Sequence, residues 1–106
     1  MNQKKRIYED AVAVSKAGAF AIVIECVVKD LAKKITNNVS APTIGIGSSK
    51  YCDGQILVID DMLGLTNFSP RFVKRYANLN NVIKKSVQRY VKDVKLKRFP
   101  SVKNTY

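Results

Sequence analysis

The residue of this chain best placed to do chemistry is Glu25, which ends the apolar run Ala19-Phe20-Ala21-Ile22-Val23-Ile24. A run rich in β-branched residues, without polar alternation, reads as a strand buried on both faces, as parallel strands covered by helices are. About one strand-helix unit later comes Pro42-Thr43-Ile44-Gly45-Ile46-Gly47. In a (β/α) barrel the C-terminal ends of the strands carry the active site, so a carboxylate there is a candidate proton carrier. At the rim of a water-poor mouth such a group becomes a stronger base, suited to removing a proton next to a carbonyl. The position equally suits a structural Glu25 that caps the next helix or pairs with a lysine.

Other residue types narrow the chemistry. The chain has no histidine, which removes Ser-His-Asp triads, His-based zinc sites and imidazole acid/base catalysis. Gly45 and Gly47 alternate on the second strand, marking either a close approach by a ligand or tight packing. They are too few for a dinucleotide fingerprint. Asp53-Gly54 reads as an ordinary turn or helix start. Asp60-Asp61 offers oxygen ligands for a hard cation, but neighbours on a strand face opposite ways, so no metal site is assigned to them. Cys26 and Cys52 lack Cys-x-x-Cys spacing, which argues against a metal knuckle or a disulfide framework and suits reduced cytosolic thiols.

The elements that must position Glu25 follow from periodicity. Glu9 to Lys16 reads as the end of a helix with Gly18 as its left-handed cap. A strand is expected over about Phe20 to Glu25. Leu31, Ile35 and Val39 then form one apolar stripe on a helix over Lys29 to Val39, broken at Ser40-Ala41-Pro42. Thr43 to Gly47 is a second strand, completing a βαβ unit. The run Ile56-Leu57-Val58-Ile59 fits a third strand or a short helix, with strand preferred. Thr66 to Pro70 is irregular. Ile83, Val87, Tyr90, Val91 and Val94 define a last amphipathic helix, ended by Phe99-Pro100 and followed by a polar tail from Ser101 to Tyr106. The chain therefore divides into a short leader (1–8), βαβ units (9–65) and a basic C-terminal helix and tail (66–106), all within one incomplete segment.

At 106 residues there is room for one core. A full barrel takes about 250 residues, so the expected fold is α/β, a partial (β/α)8 TIM barrel with the C-terminal βα units only. The net charge of +11 is uneven: residues 71–106 hold eleven Lys/Arg against one acidic residue, Asp93. On an amphipathic helix such lysines are first of all a solvated face, although basic surface can also bind phosphate backbones or attract an anionic substrate. No nucleic-acid motif accompanies them. No apolar stretch reaches the ~20 residues of a membrane span, and the basic start runs into Ile7-Tyr8-Glu9-Asp10 rather than a signal-peptide core. The expected setting is cytoplasmic, without membrane.

Taken together, the segments EDAVAVSKAGAFAIVIECV (9–27), LAKKIT (31–36), PTIGIG (42–47), CDGQILV (52–58), DMLGL (61–65), PRFVKRYANL (70–79) and the terminal FPS (99–101) resemble the C-terminal portion of the ketopantoate hydroxymethyltransferase family. The resemblance implies a barrel that, with Mg2+, moves a hydroxymethyl group from 5,10-methylenetetrahydrofolate to 3-methyl-2-oxobutanoate in pantothenate synthesis. It also implies that Glu25 carries the proton, that the metal ligands and ketoacid contacts lie in an N-terminal half, and that the complete enzyme is a homo-oligomer. The isolated chain is then expected to be inactive. The chain departs from the family pattern at Val28, where proline is usual, at Gly47-Ser48-Ser49, where Gly-Ala-Gly is usual, at Asp60, often histidine, and in its tail. A rival reading is a non-catalytic remnant or a small basic binding protein that keeps the barrel sequence.

Overall fold

A computed structural model describes residues 2–106, so Met1, the first residue of the expected leader, lies outside the described residues. The elements in order are helix α1 (Gln3–Lys16), strand β1 (Ile22–Glu25), helix α2 (Lys29–Asn38), strands β2 (Thr43–Ile46) and β3 (Gly54–Gln55), helices α3 (Ile59–Met62) and α4 (Leu79–Lys95), and a 3-10 turn (Val102–Asn104). The sheet is parallel throughout, in the order β1-β2-β3, with Ile22 opposite Thr43 and Glu25 opposite Ile46. The α/β class read from the sequence is therefore present as a small parallel sheet. The chain forms two compact units: one runs to Val58 and includes Ser69–Val73, the other joins Ile59–Phe68 to Lys74–Tyr106.

In the first unit, α1 starts where the Asn2 side chain accepts the Lys4 N–H at 3.0 Å, so most of the expected leader is its first two turns. It ends as the sequence suggests. Gly18 takes a φ of +94°, its N–H reaches the Ser15 carbonyl, and the Ala19 N–H reaches the Val14 carbonyl. This pair of bonds satisfies carbonyls the helix would otherwise leave open. Helix α2 buries Ala32 and Ile35, which pack with Ile24 and Cys52 and are flanked by Ile7, Tyr8, Ala11, Ile22, Leu31 and Val39. Its stripe is as expected, with Ala32 added at the tightest point of contact. Val28, where the family that the sequence resembles usually has proline, has φ −56° and ψ 140°, a conformation proline itself would hold.

The expectation that β1 is buried on both faces is corrected by this geometry. Successive strand residues point to opposite faces, and only the side bearing Ile22 and Ile24 meets α1 and α2. Val23 is 56% exposed and Glu25 is exposed. The strand is also shorter than expected, beginning at Ile22 and leaving Phe20 exposed. The third strand lies earlier than the apolar run suggested. It is Gly54–Gln55, one further ladder bond joins the Ile56 N–H to the Gly45 carbonyl at 3.0 Å, and Ile59 opens a helix. Asp60 and Asp61 thus sit in a helical first turn, not on a strand.

The start of β2 is fixed by a polar knot. The Thr43 side chain is fully buried; its hydroxyl lies 2.8 Å from that of Thr36 and accepts the Asp53 N–H at 3.2 Å. In return an Asp53 carboxylate oxygen accepts the Thr43 N–H at 2.8 Å. Asp53 has the turn role expected of it, tying the end of the β2–β3 connection to the strand before it.

In the second unit, α3 is closed by Gly64 at φ +65°, and its last carbonyls, together with that of Gly64, accept N–H groups from Tyr76, Leu79 and Asn80. A Cβ at Gly64 would fall 2.5 Å from the Ala77 carbonyl oxygen, so this approach requires glycine. Helix α4 is capped by Asn78 and ends sooner than Phe99-Pro100, at Lys95. The reason is Lys97, which takes the left-handed conformation (φ +57°) while its N–H and that of Arg98 bond to Val94 and Asp93. The expected apolar stripe is there, but Ile83, Val87, Tyr90, Val91 and Val94 are all exposed. Within the polar tail, Val102–Asn104 forms a 3-10 turn. Among the described residues no helix is long and apolar enough to cross a membrane.

Two substitutions test these devices. Thr43→Val keeps the volume but strands the Asp53 N–H and takes a hydroxyl donor from the Asp53 carboxylate, while the Thr36 hydroxyl keeps its bond to the Ala32 carbonyl; it is expected to destabilise the chain by about 1–3 kcal/mol in denaturant titration. Lys97→Gly relieves a left-handed backbone that side chains resist; it is expected to stabilise the helix end by about 0.5–1 kcal/mol, read as a higher melting midpoint of the helical signal. A lowered midpoint would remove Lys97 as the strained cap.

Candidate active site

Glu25 is the last residue of β1, and the chain leaves the sheet immediately after it. Cys26 adopts a φ of +52° and donates its N–H to the Ile46 carbonyl at 2.9 Å, carrying the ladder one step past the strand. Ser48 then holds the two strand ends together. Its hydroxyl accepts the Val27 N–H at 3.1 Å and donates to the Ile24 carbonyl at 2.8 Å. The departure from the family pattern at Ser48 thus adds two hydrogen bonds across the mouth. The Glu25 side chain lies on the side of the sheet away from α1 and α2, and among the described residues its carboxylate makes no hydrogen bond or ion pair. The capping and lysine-pairing roles considered for it therefore have no counterpart in this geometry.

A cleft of about 670 Å³ opens at the same end of the sheet, lined by Cys26, Ser48, Lys50, Gln55, Arg71 and Phe72 among others. Glu25 precedes its first wall residue. Lys50 and Arg71 give it a cationic side with no ion pair among the described residues. Gln55 is held across it by donating to the Ser49 carbonyl at 2.7 Å. Strand β2 ends at Ile46, so Gly45 lies on it and Gly47 just past it in the wall of the cleft, and both are closely packed. A Cβ at Gly45 would meet the Gln55 amide and Cys52 Sγ at 3.0–3.1 Å, and Gly47, at φ +62°, would meet Phe72 at 2.8 Å.

Lys50 and Arg71 were not singled out by sequence reasoning. Arg71 appeared only within a basic C-terminal third, yet Pro70, Phe72 and Val73 bring it back beside the β2 loop: Val73 is buried and its N–H closes a turn onto the Pro70 carbonyl at 3.0 Å. The only sequence signal for this return is the apolar pair Phe72-Val73 inside an otherwise charged stretch. Asp53 is committed to Thr43, and Asp60 and Asp61 lie in the other unit. Among the described residues no group of three or more His, Cys, Asp or Glu is arranged to hold a metal ion. Cys26 is exposed and Cys52 buried, both as free thiols.

Comparison with known proteins bears on what this mouth belongs to. The sequence model of ketopantoate hydroxymethyltransferase matches residues 1–102. Proteins named 3-methyl-2-oxobutanoate hydroxymethyltransferase are similar to nearly the whole chain. The one from Clostridium beijerinckii is 54% identical over 96% of this chain and 38% of its own length. That from Hyphomonas neptunium is 51% identical over 99% of this chain and 38% of its own length. That from Thermosipho melanesiensis is 47% identical over 99% and 40%. The chain therefore spans about two-fifths of the length of these relatives. On a match that takes in every element from α1 to α4, this chain belongs to the ketopantoate hydroxymethyltransferase family.

Proposed function

We propose that this chain is the C-terminal portion of a ketopantoate hydroxymethyltransferase, and that its three parallel strands are consecutive members of a (β/α)8 barrel completed by another portion. The observation that carries the reading is the placement of Glu25: a carboxylate at the C-terminal end of a parallel strand, on the face that both helices leave open. In a barrel that face is the interior and that end is the catalytic one. The open apolar side of β1 and its edge position are what a sheet interrupted between neighbouring strands would show.

In this reading Glu25 removes the C3 proton of 3-methyl-2-oxobutanoate. The resulting carbanion forms a C–C bond to the one-carbon unit of 5,10-methylenetetrahydrofolate, water supplies the hydroxyl of ketopantoate, and tetrahydrofolate leaves, its two nitrogens receiving the C3 proton and the remaining proton of water. A carboxylate does this better when water is withdrawn from it. Glu25 is exposed in this chain, so completion of the barrel supplies that condition. Lys50 and Arg71, at the cleft beside it, offer positive charge to anionic substrates. Mg2+ comes with the family, but the described residues present no ligand set for it. Its ligands are assigned to the complementary portion. Homo-oligomers of the completed enzyme belong to the same reading.

The test is ketopantoate formation from both substrates with Mg2+, by this chain alone and mixed with the N-terminal portion of a relative. Activity is expected only in the mixture, and Glu25→Gln is expected to lower turnover there by roughly 10²- to 10⁴-fold without loss of assembly. Unchanged turnover in that variant would take Glu25 out of the mechanism. The chain alone is expected to bind an apolar-surface dye and to self-associate through its open face. A monomer that unfolds cooperatively and binds no dye would contradict the interrupted-barrel reading.

A further inference from the structure

A second cleft, of about 470 Å³, lies between the first turns of α1 and α2 and collects Lys4, Lys5, Lys29 and Lys34, with Tyr8 and Val28 as apolar walls. The two helices run side by side in the same direction. At their C-terminal ends Ser15 Oγ lies 3.2 Å from Ser40 Oγ and accepts the Ala41 N–H at 3.1 Å, which places both N-termini together at the other end. That end is the one where β1 delivers Glu25, because Val28 stands only three residues further on. Asp30 alone among the lining residues opposes the four lysines.

The charge in this cleft is largely uncommitted. Among the described residues the ion pairs are Lys5–Glu9 at 3.7 Å and Arg6–Asp10 at 3.9 Å, both on the exposed side of α1 and weak for that reason. Lys34 is steadied over the Tyr8 ring at 4.7 Å, a contact that orients the ammonium without neutralising it. The first turn of α2 adds to the field, since Val28 provides no side-chain cap and the N–H groups of Lys29, Asp30 and Leu31 find no acceptor among the described residues. Asp30 and the Lys5–Glu9 pair offset part of this charge, and Lys4, Lys29 and Lys34 make no ion pair among the described residues, which leaves the cleft favourable to an anion.

We propose that this cleft binds an oligocarboxylate, and specifically the chain of glutamates on a folate co-substrate whose one-carbon end reaches Glu25. The ligand's identity rests on the transferase reading above; the cleft's preference for several neighbouring carboxylates does not. Spaced carboxylates match separate ammonium groups, each a point charge with rotatable donors.

The test uses the full 106-residue chain and three probes: tetrahydrofolate pentaglutamate, tetrahydrofolate monoglutamate and free γ-linked pentaglutamate. Binding is followed by calorimetry at physiological salt. Lys4→Gln, Lys29→Gln and Lys34→Gln are combined in one variant, and Lys84→Gln, Lys85→Gln and Lys92→Gln on α4 form a control with equal charge loss, the fold of each checked by circular dichroism. The cleft variant is expected to lose roughly tenfold in affinity for both pentaglutamates and nothing for the monoglutamate, while the control changes little. Equal loss in the two variants, or none in the cleft variant, would overturn the proposal, as would a phosphate polymer of the same charge binding the cleft more tightly. If free pentaglutamate binds through these lysines but the pterin adds nothing, the cleft stands and the folate reading falls.

Discussion

The handedness of the strand-helix-strand crossover is the constraint on which the first unit depends. A parallel strand can be reached from its neighbour only by crossing over one face of the sheet, and twisted strands make that crossing right-handed. In this chain the crossing segment is α2, and α1 lies beside it on the same face. Everything apolar on that side, Ile22, Ile24, Ala32 and Ile35, goes into one core. On the other side Val23 and Glu25 are left exposed.

That asymmetry links stability to function. The polar knot of Thr36, Thr43 and Asp53 and the Ser48 bridge between strand ends lie at opposite ends of the same two strands. One secures where β2 begins; the other secures how β1 and β2 leave the sheet. Between them the strands are held in register, so the direction of Glu25 is determined by backbone geometry, not by a contact of its own carboxylate. The hydrogen-bonding capacity of the Glu25 carboxylate therefore stays open, which is what the proton-transfer role proposed for it would need.

Charge is distributed with a similar logic. The lysines and arginines that dominate the composition fall into separate places: the exposed α4, the cleft with Lys50 and Arg71, and the cleft between the starts of α1 and α2. The last two open at the end of the sheet that carries Glu25. Net charge measured over the whole chain obscures this, since the most basic stretch of sequence is mainly a helix surface and the cationic walls near Glu25 come mostly from residues outside it.

Local patterns in the sequence determined a good deal. The order of helix and strand, Gly18 as a cap, the Leu31-Ile35-Val39 stripe and Glu25 at a strand end all follow from interactions within a few residues, and the family was legible in motifs from IEC to PRFVKRYA. Only the tertiary structure decided what depends on distant chain meeting chain. An apolar run without alternation reads as buried on both faces, yet Val23 is open because burial depends on the partner present, not on the strand's own composition. Ile56–Ile59 looked like a strand, but pairing with β2 begins at Gly54, where the Asp53–Thr43 bonds set the register. Arg71 reaches the cleft through the anchoring of Phe72 against Gly47, and the lysines of α1 meet those of α2 through helix packing. Separations of that kind leave no period in a sequence, because the forces that close them act across space after the local elements have formed.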